Sequence, residues 1–264
     1  MNPFLYSTIS SLVVISVASM AFIFSYQKDK ESYSNIGLGL TGIAGLVLLY
    51  EIIRSFYSDG QLSSTSVLLA CVLCWMTLAG QLKFQMKLAG ILTLPLSILL
   101  LLLDLFKAPS RFVSAEEPFI IFRDAHIVTA ILGQAMAIGA FSTALMYLWQ
   151  HRNLKKKLID QISDKVPALD KLSRVLNATL WLGLIFLSIA LISGAYYTSR
   201  SVISSGLEFK IIWAIGVWCW YMAILVVKNV FKKPTTFVSK LSLIGFFILA
   251  VSLFGIVLRP EVGV

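Results

Sequence analysis

His126 and His151 are the residues of this chain best suited to hold a metal or a haem iron, because a neutral imidazole carries a coordinating lone pair at pH 7. Cys71 and Cys74 form a C-x-x-C pair, but Trp75 follows where a c-type haem attachment motif needs histidine. Gly37, Gly39 and Gly42 satisfy G-x-G-x-x-G with no preceding strand, so a dinucleotide site does not follow. Glu51 with Arg54, and Asp104 with Lys107, stand three residues apart, a spacing at which helical side chains neutralise one another. The chain has no H-E-x-x-H, no phosphate loop and no nucleophile beside a base, so we expect no enzymatic activity of its own.

These residues are set in a very apolar sequence. Hydrophobic residues make up 58% of it and charged residues 13%, and its mean hydropathy is +0.86, far outside the soluble globular range. Apolar stretches cover approximately 4–26, 35–57, 64–81, 86–106, 125–149, 176–197, 210–231 and 238–258. Each is near the roughly 20 residues that cross about 30 Å of hydrocarbon. The expected fold is all-α, a single transmembrane domain over 1–264 with about eight helices. Sorting the connectors alternately places fifteen Lys and Arg on one face and seven on the other, with the densest run at 152–174. The richer face is then cytoplasmic, and both termini lie outside with the His126 end of the fifth span. No Lys or Arg precedes the first span, which fits a retained helix rather than a cleaved signal. The net charge of +9 resides in short juxtamembrane connectors, where orientation and membrane lipid account for it, and nucleic acid is not an expected partner.

The fifth span has a distinctive face. At about 100° per residue, His126 shares a stripe with Thr129, Ala130, Gly133, Ala137, Ala140 and Ala144, whereas Val128, Ile131, Leu132 and Ile138 point elsewhere. Small residues let helices approach closely, so this stripe should be buried and His126 should face the bundle interior at its outer mouth. The same position also suits a helix-end histidine hydrogen-bonded to a neighbouring helix or to a lipid headgroup. Cys71, Cys74 and Cys219 fall inside spans, where hydrocarbon is a poor setting for charged thiolates, and read as small packing residues. Gly42 and Gly45 read as helix-packing positions, and Pro95 as a bend in the fourth span. The connector 150–175, with Leu158, Ile159, Ile162, Val166, Leu169 and Leu172 among charges, suits an interfacial amphipathic segment interrupted at Pro167. The connector 107–124 is the main outer one. Mid-membrane carboxylate chains and repeated halves are absent, which weighs against a transporter.

The run His126-Ile127 through Met146-Tyr147-Leu148-Trp149-Gln150, then Leu154-Lys155 and Pro167-Ala168-Leu169, resembles a segment of the cytochrome c assembly family in its HemX-like branch. That segment begins His-Ile and passes through a small-residue helix to Tyr-Leu-x-Gln, Leu-Lys and Pro-x-Leu. Gly194-Ala195-Tyr196 is similar to the family's Gly-x-x-Trp exit, and Glu208-Phe209-Lys210 stands where it typically has Asp-Pro-Lys. Trp213, Trp218, Trp220 and Tyr221 fall in the helix that follows, and Gly245-Phe246 heads the last span in similar fashion. The resemblance covers roughly 35–258 and includes the eight-span plan.

The resemblance implies haem binding at the outer surface, between histidines flanking a Trp-rich loop, and presentation of haem to apocytochrome thiols. It makes His126 the outer histidine ahead of that loop. The chain departs from the pattern in three places. Its outer loop 198–209 has no tryptophan, no histidine follows the loop, and the second span has Leu40, Thr41 and Gly42 where haem-channel members carry histidine. His151 lies at the opposite face, more than about 35 Å of helix from His126, so one copy cannot build outer bis-histidine ligation. The expectation is therefore an accessory haem-handling or cytochrome-assembly protein of a bacterial inner membrane. His126 would supply one axial ligand to haem b, with Tyr196, Tyr197 and Trp213 walling the site and Arg123 and Arg200 available to the propionates. Expected partners are haem, other cytochrome c assembly subunits or a haem-biosynthetic enzyme. The alternative is a membrane scaffold without cofactor, acting on such an enzyme through the basic connector 152–174.

Overall fold

The computed structural model describes residues 3–28, 31–59, 64–84, 86–105, 120–156, 167–198 and 207–257. Eight helices follow in order: α1 (Pro3–Lys28), α2 (Glu31–Asp59), α3 (Thr65–Phe84), α4 (Lys87–Leu105), α5 (Ile120–Lys155), α6 (Leu169–Thr198), α7 (Leu207–Asn229) and α8 (Thr235–Val257). No strand occurs among the described residues. Six helices are long and apolar enough to cross a membrane, and α4 and α8 contribute the shorter apolar stretches Ala89–Leu105 and Thr235–Val251. The chain is a polytopic helical membrane protein, as its hydropathy demands.

Both ends of the fifth span and the start of the sixth differ from the sequence reading. Helix α5 starts at Ile120, inside the expected outer connector, and runs on to Lys155; α6 begins at Leu169, ahead of the expected 176. Arg123, Arg152, Lys171 and Arg174 end an apolar window, but Lys and Arg are good helix formers and do not end a helix. Both ends of the expected interfacial segment 150–175 therefore belong to transmembrane helices, and Leu172 is fully buried instead of lying at an interface. Pro167 precedes the first turn of α6, where a missing N–H costs nothing. Residues 158, 159, 162 and 166 lie outside the described residues, as do Lys107 and most of the connector 107–124.

Contacts divide the chain into two compact units. The first holds α1–α4, with 152–171 grouped with it. In it, neighbouring helices pack in sequence and α1 also packs on α4, closing a four-helix ring. Phe22 of α1, 2% exposed, fills a slot between two glycines: a Cβ on Gly37 of α2 would lie 3.0 Å from its ring, and one on Gly90 of α4 2.7 Å. Cys71 and Cys74 are buried in this core, as expected, and the Cys71 thiol points at the Gly45 carbonyl oxygen, 3.7 Å away. Gly45 does admit a close neighbour, Trp75, but Gly42 has nothing within 4 Å and is not a packing contact. Pro95 sits inside α4 and withholds an N–H from the turn before it. Thr8 donates to the buried carboxylate of Glu51 at 3.1 Å.

The second unit holds the described part of α5 up to His151, α6 from Leu172, and α7 and α8. Its core joins Ala137, Ala140 and Ala144 of α5 to Leu176, Leu180 and Leu184 of α6, Tyr221 and Ile224 of α7, and Val238 and Leu249 of α8. The small stripe of α5 is buried from Gly133 through Ala144, as its composition implies, but only partly so at His126, Thr129 and Ala130. Ile131 and Ile138, expected on another face, are buried as well, at 5% and 1% exposed, so α5 is covered on more than one side. Trp218 of α7 donates its Nε1–H to the Ser188 hydroxyl of α6 at 2.8 Å, and Phe141 of α5 stacks on Phe246 of α8 with ring centroids 4.0 Å apart. Cys219 is exposed on α7 and does not pack in the core.

Candidate functional site

Three glycines bring α5 and α6 together. A Cβ on Gly133 would lie 2.9 Å from the Leu187 side chain and 3.3 Å from the Leu187 backbone nitrogen, and one on Gly183 would lie 3.3 Å from Met136. Only residues without a side chain permit so close an approach. Toward the Ile120 end of α5 the same contact line reaches His126 and Gly194. A Cβ on Gly194 would stand 2.6 Å from His126 Nδ1, so this glycine is the seat of the imidazole.

The seat fixes the ring chemically. His126 Nδ1 lies 2.7 Å from the carbonyl oxygen of Ala190, one turn before Gly194. A carbonyl can only accept, so Nδ1 carries the proton and donates. In the neutral ring that leaves the lone pair on Nε2, the arrangement in which a second-shell carbonyl orients a coordinating histidine. His126 is half-buried. The expected bond to a neighbouring helix is present, although α5 starts at Ile120 and His126 lies inside it rather than at its end; the bond leaves the lone pair on Nε2.

One turn toward the start of α5, the Phe122 ring meets Tyr196 of α6 with centroids 4.3 Å apart and planes tilted by 41°. Both are about 40% exposed and form an aromatic ledge beside the histidine. Arg123 Nε donates to Asp124 Oδ1 at 3.1 Å, so a carboxylate already holds one edge of its guanidinium. Trp213 is part-buried against the apolar core of the unit, and its face-mate Trp220 donates to the Leu241 carbonyl oxygen at 3.2 Å. Arg200 lies outside the described residues. His151 stacks on Tyr147 at 6.2 Å, far down the same helix.

The structure thus sets His126 on Gly194 and Ala190 of α6, and, one turn along α5, Phe122 on Tyr196, while Arg123 pairs with its neighbour Asp124. The sequence reading missed Ala190, whose carbonyl fixes the tautomer, and Phe122, which it placed in a connector. It noted Gly194 only as part of a motif. No described group of three or more His, Cys, Asp or Glu could hold a bare metal ion. A porphyrin supplies most of the iron's coordination itself, so a single oriented imidazole such as that of His126 would be chemically suited to hold a haem.

The fold and this site define a polytopic helical membrane protein that presents one oriented imidazole between two helices near their ends. The family profile described as cytochrome C assembly protein matches residues 4–261, nearly the whole chain, and the chain belongs to that family. Membership gives it a role in cytochrome c biogenesis and links it to haem handling and to the assembly machinery in general. No curated protein matches it.

Proposed function

We propose that this protein is an accessory, HemX-like factor of cytochrome c biogenesis that binds haem b at the outer face of a bacterial cytoplasmic membrane through His126. We treat residues 1–264 as one functional transmembrane domain in this role. The observation that carries the reading is the 2.7 Å bond from His126 Nδ1 to the Ala190 carbonyl oxygen. It holds the ring in one tautomer and one orientation, so ordering the ligand adds little entropic cost on binding. Tyr196 with Phe122 offers an aromatic edge to a porphyrin plane, and Trp213 of α7 is the further wall residue of the proposal. Arg123 and Arg200 are the proposed propionate partners; Arg123 has to share its charge with Asp124. The haem iron and its porphyrin supply the redox and thioether-forming chemistry, whereas the residues of this chain bind and orient.

The test is a Soret spectrum of the detergent-purified protein with added haem, for wild type and His126→Ala. A changed Soret band and a several-fold weaker affinity in the variant are expected; identical spectra remove His126 as the ligand. A scaffold role through the inner basic segment is the competing reading, and it is motivated by the exposure of Arg152, Lys155 and Lys156. Loss of cytochrome c maturation on Lys155→Glu with Lys156→Glu, together with tolerance of His126→Ala, decides for the scaffold, and the opposite pattern decides for haem.

A further inference from the structure

Between α7 and α8 the chain turns within a few residues and leaves an unusual surface. Val230 and Phe231 are 68% and 64% exposed, Lys232 and Lys233 follow them, and Phe237 and Lys240 stand exposed one turn apart on one face of α8. No Asp or Glu occurs between Glu208 and Glu261, and none of the three lysines has an ion-pair partner among the described residues. Lys228, by contrast, is occupied: its Nζ donates to the Ser173 carbonyl oxygen at 3.2 Å. The patch therefore carries three uncompensated positive charges set among exposed apolar side chains.

The backbone adds a second, independent observation. Lys232 has φ of 49°, in the left-handed region, and is the one described non-glycine residue with positive φ. It is held there by its neighbours' bonds back into the helix, Phe231 N–H to Val226 O and Lys233 N–H to Val227 O, each 3.2 Å. Glycine ends a helix in this conformation without a steric penalty, whereas lysine bears one. A lysine where glycine would be unstrained supports a use for its charge.

We infer that the α7–α8 turn is a binding site for an anionic phospholipid headgroup, with Lys232, Lys233 and Lys240 contacting phosphate and Phe231 and Phe237 entering the acyl boundary. Charge complementarity selects the headgroup, and the exposed rings select a lipid over a free anion, since a free anion has no use for apolar flanks. The turn lies on the face that the charge distribution makes cytoplasmic, where juxtamembrane lysines meet anionic lipid. This site is independent of the haem reading.

The experiment is thermal unfolding of the full chain in neutral detergent, with added phosphatidylglycerol, phosphatidylcholine or inorganic phosphate. Phosphatidylglycerol should raise the midpoint by about 5 °C at saturation, and the other two should not. The triple variant Lys232→Gln, Lys233→Gln, Lys240→Gln should lose the rise, while Lys155→Gln with Lys156→Gln, on exposed lysines where α5 ends, should keep it. Lys232→Gly separates folding from binding: its midpoint without lipid should equal or exceed wild type, and its response to phosphatidylglycerol should fall by about half or more. The inference is overturned by a full rise in the triple variant, by equal loss in the α5 variant, which marks diffuse charge, or by an equal rise with inorganic phosphate.

Discussion

The imidazole of His126 occupies the volume that a side chain at residue 194 would need: a Cβ there would lie 2.6 Å from Nδ1 and 2.8 Å from Cε1. The two positions are therefore one structural unit, with the Ala190 carbonyl as its third member. Helix packing and the proposed haem binding therefore share one contact.

Gly194→Ala tests this relationship. The added methyl must push the ring off its acceptor, and the overpacking should cost about 1–3 kcal/mol. Thermal unfolding should report the loss, and haem titration should show weakened binding with an altered Soret band. Gly216→Ala on α7 is the comparison, because nothing lies within 4 Å of its added carbon. It should be neutral or should stabilise by about 0.5–1 kcal/mol through helix propensity. Equal behaviour of the two alanine variants would remove the proposed seat.

In the first unit, Phe22 depends on Gly37 and Gly90 in the same way. Gly90→Ala should destabilise by about 1–3 kcal/mol, because the Phe22 ring is fully enclosed and cannot retreat. Combining it with Phe22→Leu should cost less than the two single changes added together, since the smaller side chain vacates the space that the methyl needs. Chemical unfolding of the four-membered mutant cycle measures the coupling, and strict additivity would show that ring and glycine do not share one slot.

The eight helices and the buried small face of α5 were legible because they rest on hydropathy and on a 3.6-residue period. Where reading failed, the deciding contact was tertiary. Gly42 and Gly45 look alike in sequence, yet only Gly45 meets a neighbour, since Trp75 comes from another helix. Cys219 sits in an apolar run like Cys71 and Cys74, but its side of α7 is uncovered. The grouping of the helices into two four-helix units left no repeat to read. His126 could be chosen by type, but its tautomer was not legible, because the Ala190 carbonyl that sets it comes from a residue 64 positions away.

Thr77 of α3 and Thr93 of α4 place their hydroxyl oxygens 2.6 Å apart while each also reaches a carbonyl on its own helix, Leu73 at 2.7 Å and Ala89 at 2.8 Å. Each hydroxyl has one proton, so one threonine donates across the interface and the other to its own backbone. A double-mutant cycle with Thr77→Val and Thr93→Val should give a favourable coupling of about 0.6–1.7 kcal/mol, the range for interhelical hydrogen bonds in membranes. A coupling near zero would mean that the local carbonyls satisfy both groups.

The aromatic ledge separates a porphyrin site from a packing contact. Phe122 and Tyr196 are each about 40% exposed, so Phe122→Ala or Tyr196→Ala gives up part of a ring's burial together with the pair contact, itself worth about 0.5–1.5 kcal/mol. Stability should therefore fall by about 1–3 kcal/mol, less than for a fully enclosed ring. Haem affinity should fall several-fold if the rings meet the porphyrin, while the Soret maximum should stay in place, because His126 and its bond to Ala190 are untouched. A shifted maximum would show that the rings act through the axial ligand, and an unchanged affinity would confine the ledge to holding α5 against α6.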